Sequence, residues 1–469
     1  MRKKNKHKLL EHITVEGYAA EGKSLARIDG KVIFISDAVP GDVVDVRLSK
    51  DKKDWAEGRA TTIHKYSSER VTPFCEHFGV CGGCQWQMLP YFKQLEYKNQ
   101  QVIETLRRIG KVSLPTANPI LGADLTRRYR NKMEYTFGNK RFLLPEEIGN
   151  TEVSATENVA GFHAKGLFDK IVNIRECHLQ EEPTNAIRLA VRDYGIAHSL
   201  PFYDIRNHEG FLRTMQVRIC TTGEVMVNIV FGAEREKERV ALLEYLKERF
   251  PSITTLLYTI NTKKNDSLND LNPVVYTGKG YVIEQLEGFR FKIGPKSFFQ
   301  TNSLQAEKLY SITRQFAELT GIETVYDLYC GTGSIGIFLS REAGKIIGVE
   351  MIDEAIQDAR ENAALNNVGH CSFFTGDVSE ICTNDFFNEH GKPDVIITDP
   401  PRAGMHETLV QKINEMKARI VVYVSCNPAT QARDLQMLSE NYEVAAVQPV
   451  DMFPHTLHIE NIVKLVLRS

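Results

Sequence analysis

Asp327-Leu328-Tyr329-Cys330-Gly331-Thr332-Gly333-Ser334-Ile335-Gly336 ends an apolar run that begins at Thr324 and opens a stretch with helical periodicity. Strand, glycine-rich turn and helix, in that order, form the first unit of a doubly wound sheet. The glycines let the backbone approach a ligand closely. Outward from this unit the rhythm repeats. Strands are expected at residues 324–329, 346–350, 371–375, 395–398 and 420–425, with two more at 442–447 and 462–467, alternating with amphipathic helices. That alternation marks a parallel sheet covered on both faces.

A glycine triplet alone is a weak signal. Glu350 strengthens it, because it ends the next strand about 20 positions on, where a carboxylate can accept hydrogen bonds from ribose hydroxyls. Those two features also suit a nicotinamide dinucleotide. Two later strand ends favour a methyl donor, S-adenosylmethionine: Gly376-Asp377, where an acidic side chain can meet an adenine amino group, and Asp399-Pro400-Pro401-Arg402-Ala403-Gly404, where the prolines hold the loop extended and Asp399 projects at the carboxyl edge. Ligands of such sheets bind along that edge.

The fifth strand runs into Ser425-Cys426-Asn427-Pro428, which brings a cysteine to the same edge. A strand-end cysteine is usually packing, but its position beside a methyl donor suggests a nucleophile. Carbon 5 of uracil becomes enolate-like once a thiolate adds to carbon 6, and a carboxylate must then remove the carbon-5 proton. Glu460, in Asp451-Met452-Phe453-Pro454-His455-Thr456-Leu457-His458-Ile459-Glu460, is the candidate base. Cys330 reads as a small packing residue. Cytosine-5 methylation is disfavoured, because the fourth-strand motif carries no second cysteine.

Taken with Phe298-Phe299-Gln300-Thr301-Asn302, the Asp399, Cys426 and Glu460 motifs resemble the uridine-5 RNA methyltransferase family that includes RumA and TrmA, over almost the whole chain. The resemblance implies Cys426 as nucleophile and Glu460 as proton acceptor. It also implies Gln300, Tyr329, Glu350 and Asp399 as contacts to S-adenosylmethionine, with Asp377 a further candidate. Ile459 stands where a valine is usual.

Nine cysteines without a secretory signal argue for metal binding or catalysis rather than a disulfide framework. Cys75, Cys81 and Cys84 lie close together, and the Gly82-Gly83 pair lets the last two converge on one centre. A fourth thiolate could come from Cys177, although spacing does not exclude Cys220. Four thiolates suit zinc or an iron–sulfur cluster equally. RumA-like members carry three close cysteines and one distant one around a [4Fe-4S] cluster, and the resemblance implies that cluster, with a structural or RNA-positioning role.

With 469 residues and 42% hydrophobic content, the chain has material for several cores. Three parts are expected: a small antiparallel β-barrel at 1–66, similar to a TRAM domain; a cysteine loop, a helix over 91–109 and a central α+β domain within 67–300, with strands at 215–219 and 225–230; and a Rossmann-like class I methyltransferase domain at 301–469. The net charge is −2, so RNA binding must rest on local patches. These are Lys50, Lys52, Lys53, Arg59, Lys65 and Arg70 on the barrel, and Arg127-Arg128-Tyr129-Arg130-Asn131-Lys132, which suits phosphate contacts and base stacking; the amino terminus is also basic, with Arg2, Lys3, Lys4, Lys6 and Lys8.

No apolar run follows the basic amino terminus and no stretch is long enough to span a bilayer, so a cytoplasmic protein is expected, acting as a monomer on RNA and not on DNA or a membrane. Ribosomal RNA of the large subunit (23S) is the expected substrate, because RumA-like enzymes combine barrel and cluster. Transfer RNA is the alternative, and a non-catalytic iron–sulfur RNA-binding or assembly factor is the reading from a different class.

Overall fold

The structure is a computed structural model that describes residues 8–19, 22–150 and 153–468. The basic residues Arg2, Lys3, Lys4 and Lys6 lie outside the described residues.

All seven expected strands of the last third form one sheet. Numbered within that sheet they are β1 (Thr324–Leu328), β2 (Lys345–Glu350), β3 (Cys371–Thr375), β4 (Val395–Thr398), β5 (Ile420–Ser425), β6 (Tyr442–Val450) and β7 (Glu460–Leu467), in the spatial order β3-β2-β1-β4-β5-β7-β6. The first five are parallel, and β7 runs antiparallel between β5 and β6. Alternate residues of β5 enter opposite cores: Ile420, Val422 and Val424 join one, Val421 and Tyr423 the other. Two covered faces explain the unbroken apolar runs in the sequence. The strand order reverses between β1 and β4, which makes their carboxyl ends the natural ligand crevice.

Strand β7 begins at Glu460, two residues before the expected start, because its first two positions are polar yet buried within the sheet. Across the β6–β7 ladder Glu460 pairs with Val450, so residues 451–459 form the connecting loop.

In the central part, seven strands form a mixed sheet in the order Val274–Thr277, Thr255–Ile260, Val225–Phe231, Leu212–Ile219, Lys132–Gly138, Val159–His163, Ile171–Asn173. Met215 and Val217 pack in the core that Ile187, Val191, Leu242 and Leu246 of two helices complete. Their neighbours Thr214, Gln216 and Arg218 are buried as well. The alternation in sequence therefore separates an apolar from a polar buried face. A hairpin, Val282–Leu286 with Phe289–Ile293, shares its core with the methyltransferase sheet. Helix α1 (Tyr91–Thr105) continues as a π-turn over Leu106–Gly110, and its Val102 packs in the other core of that sheet.

The amino-terminal six-stranded sheet corrects one expectation. Its strands Lys31–Ser36 and Trp55–Lys65 pair in parallel, so the barrel is not wholly antiparallel. Its two edges, Leu9–Thr14 and Gly17–Tyr18, are consecutive stretches of one bent segment, which wraps the sheet around Val15, Ile33, Ile35, Val44 and Val46. Among the described residues no helix is long and apolar enough to cross a membrane.

Candidate functional site

The carboxyl ends of β1, β2 and β4 form the candidate cofactor site. After β1 the chain turns through three left-handed residues, Tyr329 (φ 63°), Gly331 (φ 53°) and Gly333 (φ 74°). A Cβ on Gly333 would lie 3.0 Å from Ala359 and Phe373, whereas one on Gly331 would meet nothing within 4 Å, so the backbone there is open to a ligand. Asp327 braces the turn by accepting from Gly336 N at 2.8 Å. Its other oxygen is buried without a protein partner, and burial pushes the carboxyl up to about 7. Glu350 accepts from Gly331 N at 3.3 Å and from Ile352 N at 3.1 Å, which fixes the carboxylate against the turn. Gln300 is buried and its carbonyl accepts from Asn131 Nδ2 at 2.9 Å. Asp377 caps the short helix Val378–Ile381 through Ser379 N, which commits one of its oxygens. Cys330 is buried, with its sulfur close over Gly348.

At the adjoining edge, Ser425 of β5 pairs with Asn461 of β7. Cys426 directly follows Ser425 and Glu460 directly precedes Asn461, so both lie at the same end of that ladder, close enough for Glu460 to act on the Cys426 thiol. Burial, then Glu460 and Asp399, push the Cys426 thiol up to about 11, and Arg402 opposes them. Glu460 is 6% exposed and lifted well above the usual carboxylate range by burial, then by Asp399. Burial also raises Asp399 to about 7. Like-charged groups in a poorly solvated pocket favour their neutral forms. Two residues that sequence reasoning left without a role stand beside this group: Arg402 Nη2 donates to His458 Nδ1 at 2.5 Å. Both lie within quoted motifs, but nothing in their spacing pairs them.

Cys75, Cys81, Cys84 and Cys177 line one cavity of about 280 Å³ together with His77, Arg130 and Lys132. Cys220 is buried elsewhere, in the core with Met226 and Leu257. Gly83 N donates to Cys81 Sγ at 3.4 Å. As metal-free thiols all four are raised by burial, Cys81 to about 11 and Cys84 to about 12. No three of the four sulfurs lie within 4.8 Å of one another.

The basic segment is more structural than its composition suggests. Tyr129 is 6% exposed and donates to Pro454 O at 3.0 Å, so its ring is not a platform for a base. Arg128 pairs with Glu181, while Arg127 stacks over Phe74 and Arg130 over Phe453. On the barrel, Arg70 holds buried Asp42 with two hydrogen bonds, and Lys50 and Arg59 pair with Glu57 and Asp37. Lys52 and Lys53 are exposed.

A sheet of order 3-2-1-4-5-7-6 whose glycine turn and following carboxylate meet at the switch point defines a class I S-adenosylmethionine-dependent methyltransferase fold. The description tRNA (Uracil-5-)-methyltransferase matches residues 216–468, and the TRAM domain matches residues 11–61. The chain belongs to this family of RNA uracil-5-methyltransferases, in a form that carries a TRAM domain. It is 51% identical over 453 residues to an uncharacterized RNA methyltransferase of Bacteroides thetaiotaomicron, covering 96% of this chain and 100% of that one. Identity to an uncharacterized RNA methyltransferase of Porphyromonas gingivalis is also 51%, covering 96% and 98%. Among solved structures, the Pyrococcus abyssi tRNA (uracil-54, C5)-methyltransferase in complex with S-adenosyl-L-homocysteine superposes with a TM-score of 0.74 at 27% identity, covering 97% of this chain and 100% of that one.

Proposed function

We propose that this enzyme methylates carbon 5 of a uridine in 23S ribosomal RNA through a covalent adduct between Cys426 and carbon 6, and that Glu460 removes the carbon-5 proton. The observation that carries this reading is the convergence of Cys426 and Glu460 at one end of the β5–β7 ladder, with Glu460 and Asp399 both acting on the Cys426 thiol. The Cys426 sulfur, after losing its proton to solvent, bonds to carbon 6 and shifts an electron pair toward carbon 5. S-adenosylmethionine, when bound, supplies the electrophilic methyl group that carbon 5 takes. Glu460 then accepts the carbon-5 proton and the carbon–sulfur bond breaks, returning the thiolate. A base whose pKa is raised by burial is the stronger acceptor once ionised. Gln300, Tyr329, Glu350 and Asp399 would hold the methyl donor. Asp377 is the weaker adenine contact, since it already caps a helix.

The four cysteines around one cavity fit a [4Fe-4S] cluster. Four thiolates also suit a single zinc, and the resemblance of this cysteine set to that of the RumA-like members favours the polynuclear centre. Methyl transfer moves no net electrons, so the centre's role in this reading is structural.

In the division of labour that follows, residues 1–66 grip RNA, 67–300 carry the cysteine loop and the central RNA-binding domain, and 301–469 perform the chemistry, in the cytoplasm and as a monomer. Transfer RNA is the second reading for the substrate, favoured by the 27% identity to the Pyrococcus tRNA enzyme over almost the full length of both chains. Mass spectrometry of 5-methyluridine in ribosomal and transfer RNA, from cells with and without the protein, separates the two. Loss of a 23S position supports the first reading. Loss confined to transfer RNA replaces it with the second, and no loss in either removes the enzymatic reading.

A further inference from the structure

Residues 451–459 deliver Glu460 to the site, yet little of what holds this loop comes from the sheet it belongs to. Four consecutive carbonyls accept hydrogen bonds from distant segments. Met452 O accepts from Asn302 Nδ2 (2.8 Å), Phe453 O from Lys98 Nζ (3.3 Å), and Pro454 O from Tyr129 Oη (3.0 Å). His455 O accepts from both Gln85 N (2.8 Å) and Trp86 N (3.1 Å) of the cysteine loop. His455 itself is left-handed, at φ 65°.

Helix α1 supplies the most costly of these contacts. Lys98 Nζ lies 2.7 Å from Asp451 Oδ1, and neither side chain is exposed to solvent. Tyr91 donates to the other Asp451 oxygen at 2.9 Å. Gln94, also fully buried, accepts from His455 N at 2.9 Å and donates to His455 Nδ1 at 3.1 Å. Tyr91, Gln94 and Lys98 thus form one polar stripe at helical spacing on a buried face. An ion pair removed from water is a poor source of stability compared with apolar packing, so a buried pair at this position suits fixing a unique loop geometry.

We propose that α1 is a positioning clamp: through Tyr91, Gln94 and Lys98 it fixes the 451–459 loop and so sets the Glu460 carboxylate against carbon 5. The inference rests on the assignment of Glu460 as the base. Because the clamp acts on proton removal, it governs decay of the covalent adduct more than its formation. Displacement of a reacting group by about 1 Å can cost on the order of 10²-fold in rate.

The test compares Lys98→Met, Gln94→Leu and the double variant Lys98→Met/Asp451→Leu, the last removing both buried charges together so that neither is orphaned. Affinity for S-adenosylmethionine, the formation rate of a denaturant-stable protein–RNA adduct and its decay rate are measured for each. Expected are unchanged affinity, formation within about twofold of wild type, and decay slowed about 10²-fold. Wild-type decay in folded Gln94→Leu or in the folded double variant overturns the clamp, as does a parallel fall in affinity, formation and decay, which would show a general structural role. Glu460→Gln serves as the control: if it accumulates no adduct, the base assignment fails and the clamp is judged on amide hydrogen exchange alone. There the clamp predicts faster exchange confined to residues 451–459, and unchanged exchange overturns it.

Discussion

In the free enzyme the Cys426 thiol is held protonated by burial and by two neighbouring carboxylic groups, at about 11. A raised pKa leaves the proposed nucleophile neutral at ordinary pH, and its thiolate fraction grows about tenfold per pH unit until that value is reached. Alkylation of Cys426 by iodoacetamide, followed by peptide mass spectrometry, should therefore rise steadily from pH 7 to 10 with no plateau. A plateau below pH 8 would show an activated thiolate in the resting enzyme. Cys426→Ala should lose methyl transfer by more than about 10⁴-fold, as removal of a covalent nucleophile does, while calorimetry finds S-adenosylmethionine affinity within about twofold. Wild-type turnover in that variant would end the covalent reading. At this scale the sequence was informative only through order: Cys426 became distinctive because it follows Glu350 and Asp399 and precedes Glu460. Arg402 and His458 were not legible, since their contact joins two loops 56 residues apart.

Among the elements, the strands were the most legible, because a sheet covered on both faces demands near-continuous apolar runs. Strands β3, β4 and β5 fall on the expected residues. Where polar residues enter the sheet the pattern fails, as at Glu460 and Asn461 of β7; α1 was expected as a helix, but not that its buried face would carry Gln94 and Lys98. A polar stripe at helical spacing reads as a solvated face, and only the partner loop reveals otherwise. The close approach of β2 to the cofactor turn gives a sharp prediction. A Cβ on Gly348 would lie 2.3 Å from Phe373 and 2.9 Å from Cys330 Sγ. Gly348→Val should lower stability by about 1–3 kcal/mol through overpacking and weaken S-adenosylmethionine binding by displacing Cys330 and the turn that follows. Denaturant titration and calorimetry check both effects, and wild-type values in both would show that the turn tolerates the shift.

For the whole molecule, the cysteine loop, α1 and the methyltransferase sheet are packed as one arrangement, with Gln85 and Trp86 bonded to the loop that precedes Glu460. The three-part organisation was visible in changes of sequence rhythm. The joining of the parts was not, because it runs through main-chain carbonyls that carry no residue signature. The proposed [4Fe-4S] centre predicts iron and visible absorbance in the anaerobically purified wild type, both largely lost in Cys75→Ser; a wild type without iron would remove the cluster, and a full cluster in Cys75→Ser would remove Cys75 from the ligand set. The most direct test of the chemistry is the intact mass of Glu460→Gln after incubation with S-adenosylmethionine and 23S ribosomal RNA, followed by nuclease and protease digestion. A methylated uridine nucleotide attached to the Cys426 peptide is the predicted result. Label incorporated at carbon 5 of uridine with no adduct at Cys426, or with an adduct on another residue, would contradict it.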